Sequence, residues 1–94
     1  MSEEKINNLA LFFKVFSDST RLKIINALLT KELNVCELAN VVEISQSAVS
    51  HQLQFLKLSK LVKFKKIGKE VYYSLDDEHI KDIFMKGCEH IDEI

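Results

Sequence analysis

From Ser45 to Leu75 the chain reads SQSAVSHQLQFLKLSKLVKFKKIGKEVYYSL, and its hydrophobic period changes once along the way. As far as Ser59 the apolar residues Ala48, Val49, Leu53 and Leu56, with Phe55 beside them, recur at helical spacing. Ser45 or Ser47 can cap the start of this helix, and serines, glutamines and a histidine fill its other side. Beyond Lys60 the alternation becomes strand-like: LVKFKK and EVYYSL flank Ile67-Gly68-Lys69, which predicts a β-hairpin turning at the glycine.

The preceding residues give this pair its meaning. Val35, Leu38, Ala39 and Val42 mark the inner side of a short helix over Val35 to Val42, and Ile44 and Ser45 break the pattern. Two helices joined by a tight turn, the second polar and followed by lysines, have the outline of a helix-turn-helix, and the hairpin is its wing. Three more helices complete the chain. Ile6, Leu9, Phe12, Phe13 and Phe16 form an amphipathic stripe over Glu3 to Phe16. Ser17 to Thr20 supply capping side chains for a second helix, with Leu22, Ile25, Leu28 and Leu29 buried and an end near Thr30 and Lys31. The last helix, about Asp77 to Ile91, carries Ile80, Ile83, Phe84, Gly87, Cys88 and Ile91 along one side. Gly87 costs about 1 kcal/mol against alanine within a helix, which points to close helix packing there. The expected fold is mainly α: four helices, a two-stranded wing and a final helix.

The 94 residues contain no proline, linker or repeat, so residues 1–94 are expected to form one domain, near the lower limit for an independent core. Neither a signal peptide nor a membrane span is indicated, and a cytoplasmic protein is expected. The net charge of -1 hides an asymmetry. Ile44 to Lys69 holds six lysines and no acid, whereas Asp76 to Glu93 sets seven acids against two lysines. A basic centre suits a polyanion, and an acidic end attracts cations. Nothing suggests an enzyme: there is no phosphate loop, no nucleophile and base at recognisable spacing, and too small a core for a deep pocket.

Together, VFSDSTRLKIINALL, LNVCELA, SQSAVSHQLQFLKLSKLV and KKIGKEVYYSL resemble the ArsR/SmtB family of winged-helix metal-sensing repressors over nearly the whole chain. The resemblance implies a homodimer packed through its first and last helices, bound to a palindromic DNA operator until an inducer releases it. It also turns the polar helix into a DNA reader. Gln46, Ser47, Ser50, His51 and Gln52 are uncharged or planar hydrogen-bonding side chains of the kind that contact base edges, with His51 better suited to the turn or to phosphate than to a base. Lys63, Lys65, Lys66 and Lys69 on the wing would supply charge to the phosphates and little sequence information.

The last helix carries two half-sets of metal ligands. Asp77 and His79 stand at its start, and His90 and Glu93 share a face at its end. Eleven residues of helix separate the two histidines by roughly 16 Å, so one chain cannot close both around one ion. If two copies run antiparallel, the start of one meets the end of the other, giving two symmetric sites of two nitrogens and two oxygens. That donor set suits Zn(II), with Co(II) as a substitute, and the four positions resemble the family's zinc site in this helix. Zinc is thus expected as an inducer and not as a catalytic cofactor.

The family's other metal site rests on a Cys-Val-Cys run, for which this chain has Asn34-Val35-Cys36. Arsenic, lead or cadmium sensing there is not expected, and Cys36 reads as a small, partly buried residue. Cys88 reads as core packing. Competing functions stay open: a thiol-redox or reactive-sulfur repressor using Cys36 and Cys88, a repressor with no inducer site, and a DNA-binding protein whose acidic helix contacts another protein.

Overall fold

The computed structural model describes residues 1–94 and sets out the elements in the expected order. These are α1 (Glu3–Val15), α2 (Ser19–Ala27), α3 (Val35–Val42), α4 (Gln46–Leu58), β1 (Val62–Ile67), β2 (Glu70–Leu75) and α5 (Glu78–Asp92). Each helix begins where a short oxygen-bearing side chain precedes it. Ser2, Asp18, Asn34, Ser45 and Asp77 accept from the backbone N–H groups of Lys5, Arg21, Glu37, Ala48 and His79. At α3 the Glu37 carboxylate also accepts from the Asn34 N–H, completing a capping box.

The core is wholly apolar. Ile24 and Ile25 of α2, Leu38 of α3, and Val49, Leu53 and Leu56 of α4 are sealed from solvent together with Leu61, Val62 and Ile80. Those last three fasten the wing and α5 to the helix-turn-helix. By contrast, α1 gives the core only Val15, and Ile6, Leu9, Leu11 and Phe13 stay exposed.

Both helices of the helix-turn-helix end in the same way. Glu43 and Lys60 take left-handed backbone angles, φ 59° and 62°. The next N–H in each case returns to the carbonyl five residues back, Ile44 to Ala39 at 3.2 Å and Leu61 to Leu56 at 2.9 Å. Glycine usually takes such positions, because a side chain there costs roughly 1–2 kcal/mol. Here the buried Val42 and Leu61 beside these turns hold the geometry.

In the wing, β1 pairs antiparallel with β2, Val62 opposite Leu75 and Phe64 opposite Tyr73, and Gly68 turns the chain at φ 63°. Leu33, just before α3, exchanges two backbone bonds with Tyr73 at 3.1 and 2.8 Å and so adds a one-residue third strand. A single paired residue carries no alternation by which sequence could announce it.

Several expectations need correction. The second helix stops at Ala27, three residues before Thr30, because the Leu28 N–H tightens onto the Ile24 and Ile25 carbonyls. Ile24 is buried on that helix, and Leu22 is only half-buried. Cys36 and Cys88 are both exposed, neither partly buried nor in the core. Gly87 meets no close neighbour within the chain: a Cβ built there would find nothing within 4 Å.

Candidate nucleic-acid interface and metal half-sites

Along α4 the structure divides the expected DNA readers. Gln46, Ser47, Ser50 and His51 are exposed, and the Ser47 hydroxyl lies 3.3 Å from that of Ser45. Gln52 is half-buried, and its Oε1 accepts from the Nε–H of Arg21 at 3.2 Å. The same guanidinium lies 4.1 Å over the ring of Phe55, and its Nη1 reaches the Val15 carbonyl at 3.5 Å. Reasoning on sequence overlooked Arg21. A signal was present, since it is the sole arginine beside twelve lysines.

The wing lysines are all exposed but do not share one surface. Alternation puts Lys63 and Lys65 on one face of β1 and Lys66 on the other with Val62 and Phe64, and Lys69 sits in the turn. Lys65 Nζ pairs with Glu32 Oε1 at 3.1 Å, and no such partner engages Lys66 or Lys69. Lys57, from the last turn of α4, lies 4.6 Å over the Phe64 ring and braces the wing against the helix.

The residues expected as two half-sets of metal ligands lie at opposite ends of α5. Asp77 is the helix N-cap, and its Oδ1 lies 3.1 Å from His79 Nδ1 while also accepting from the His79 N–H at 3.4 Å. That N–H, at a helix start where negative charge is favoured, is the chief reason the Asp77 carboxyl titrates below its ordinary value; the charge of the His79 ring adds to it. A 3.1 Å separation suits a shared ion: two donors about 2.0 Å from a tetrahedral metal would lie roughly 3.3 Å apart. His90 lies in the last turn of α5, and Glu93 is its C-cap, with its N–H on the His90 carbonyl at 3.2 Å. Both side chains are exposed. No three His, Cys, Asp or Glu side chains within one chain gather to hold a metal. The structure thus brings Asp77 to His79 and leaves His90 and Glu93 at the far end.

Between α1 and α5 runs an open apolar groove of about 360 Å³, lined by Phe13, Phe16, Leu22, Ile83, Phe84 and Ile91. Gly87 and Cys88 belong to its wall, which accounts for an exposed glycine and thiol on the apolar side of α5. No helix is long and apolar enough to cross a membrane.

Comparison with known proteins agrees with this fold. Residues 18–63, from the cap of α2 into β1, match the family described as "Bacterial regulatory protein, arsR family". The chain is 41% identical to a transcriptional repressor SmtB homolog of Synechocystis over 99% of its own length and 70% of that protein's. It is 43% identical to a cadmium resistance transcriptional regulatory protein CadC homolog of Staphylococcus aureus, over the full chain and 78% of the relative. Its fold is similar to that of the homodimeric winged helix-turn-helix DNA-binding domain of a possible ArsR-family regulator from Mycobacterium bovis. The TM-score is 0.89 at 26% identity, covering 99% of this chain and 89% of the other. A helix-turn-helix flanked by a basic wing, with these relatives across nearly its whole length, places the chain in the arsR family of bacterial regulatory proteins, as a DNA-binding transcriptional regulator and not an enzyme.

Proposed function

We propose that this chain is a metal-responsive repressor that acts as a homodimer. Metal-free, it binds a palindromic operator; Zn(II) at sites shared between two copies of α5 releases it, and genes for metal efflux or resistance are expressed. The observation that carries this reading is the placement of the half-sites, Asp77 and His79 at one end of α5 and His90 and Glu93 at the other. An antiparallel pair of these helices would bring each half-set to its complement.

The apolar groove between α1 and α5 supports such a pairing, since its exposed Phe13 and Ile91 lie on the helices that would meet. Bound zinc would supply a rigid link between chains through nitrogen and oxygen donors. The residues of α5 then fix one crossing of the two helices, and through Ile80 and the wing that crossing sets where each α4 points. If the zinc-bound crossing misaligns the two reading helices with successive major grooves, zinc and operator oppose each other by equal factors. Relatives named for cadmium resistance and for arsenical resistance support metal response as the broader function. The N/O donor set, and Asn34 where a first thiolate would stand, favour zinc or cobalt over thiophilic ions.

Paired variants test this. His79→Ala with His90→Ala is expected to abolish zinc-driven release of operator DNA, whereas Cys36→Ser with Cys88→Ser leaves release intact. The reverse pattern would replace the metal reading with a thiol-based one.

A further inference from the structure

We propose that Arg21 is a positioning residue for the DNA-reading helix, acting through Gln52, and that Gln52 orients α4 and does not read a base. This rests on the DNA-binding reading above and deepens it. Three elements meet at the Arg21 side chain. Its own amide is held at the start of α2 by Asp18 Oδ2 at 3.0 Å. The guanidinium then donates from Nε to Gln52 Oε1 on α4 at 3.2 Å, reaches the Val15 carbonyl at the end of α1 at 3.5 Å, and holds its Cζ 4.1 Å from the ring centre of Phe55, also on α4.

The chemistry of this joint decides what Gln52 can do. Arginine has donors and no acceptor, so the glutamine must turn its oxygen inward. Reading adenine with glutamine takes both amide atoms at once, the oxygen accepting from the base amino group and the nitrogen donating to N7. Held toward α2 by Arg21, the half-buried Gln52 has only the second lone pair of Oε1 left for a base, so that bidentate contact is disfavoured. The expected readers that stay exposed, Gln46, Ser47, Ser50 and His51, lie nearer the N-terminus of α4.

Residue choice points the same way. Every other basic position in the chain is a lysine, whose ammonium is a point charge. Only a planar guanidinium can stack on a ring and direct fixed N–H groups at two acceptors, so Arg21→Lys is not conservative here. Because α1 contributes little else to the core, the tie to the Val15 carbonyl links α1 specifically to the reading helix. In a dimer joined through α1, this joint would help set the angle and spacing of the two α4 helices.

The test uses the full chain and a duplex selected by the wild-type protein from a random pool. Arg21→Lys and Gln52→Met are each expected to weaken binding about tenfold, the scale of losing a charge-assisted hydrogen bond. The double variant should bind no more weakly than either single one. Both variants should select the same bases as wild type but tolerate half-sites shifted by one base pair, a change that mere loss of folding stability would not produce. Should Arg21→Lys fail to fold, Gln52→Met decides alone: weaker binding with unchanged bases and relaxed spacing supports the joint. A changed base preference in Gln52→Met, multiplying losses in the double variant, or unaltered binding by folded variants would each overturn it. A wild-type chain that selects no duplex would overturn the DNA-binding reading itself, and this one with it.

Discussion

On the proposed reading Asp77 has two tasks that a single substitution can separate. Its Oδ1 caps α5 through the His79 N–H, and the same oxygen lies beside His79 Nδ1, where an ion could join them. Asparagine caps a helix about as well as aspartate but is a weaker zinc ligand. Asp77→Asn should therefore melt within a few degrees of wild type yet lose zinc-driven operator release, as read by a thermal melt and an operator titration. The carboxyl also carries a pH signature. Its folded value is depressed below its value in the unfolded chain, so its contribution is complete above about pH 4 and fades as pH falls through the lower folded value. Asp77→Asn should remove that part of the acid destabilisation, and an unchanged acid limb would contradict the assignment. At this scale the sequence was only partly legible. Spacing alone separated Asp77 and His79 from His90 and Glu93, because helix rise is fixed. Spacing did not reveal that Gln52 turns inward, since a helical period assigns faces and not hydrogen-bond partners between residues thirty-one apart.

Among the elements, the wing offers the sharpest comparison. Lys69 stands free in the turn, and Lys65 is paired with Glu32. If both approach phosphates, Lys69→Ala should lower the slope of log affinity against log salt by about one while leaving base preference alone. Lys65→Ala should lower it by less, because its pair with Glu32 already offsets part of its charge. Equal slopes for wild type and Lys69→Ala would remove the turn from the DNA interface. Periodicity located this hairpin and the helix before it because both are half-buried surfaces with a regular apolar side. It placed the end of α2 too late because Leu28 and Leu29 continue the helical spacing into a turn. Cys88 was misjudged for a related reason. A small apolar residue on the inner side of a helix looks buried in sequence, but α5 turns part of that side to a groove that its own chain leaves open.

For the whole molecule, only fourteen residues are buried, all apolar, while Ile6, Leu9, Leu11 and Phe13 of α1 and Met85 and Ile91 of α5 remain exposed. The exposed apolar residues of these two helices flank the groove between them, and a second copy could cover them, as suits so small a core. Gly87 takes its meaning from the same surface: with no neighbour within its own chain, it leaves room for another helix to approach. On the proposed function, metal occupancy reports the pairing of two α5 helices. The most direct measurement is a zinc titration of the dimer bound to operator DNA, following bound metal and DNA release together. Two zinc ions per dimer are expected, with release complete as they bind. Zinc bound at that stoichiometry without release, or release without zinc uptake at His79 and His90, would contradict that function.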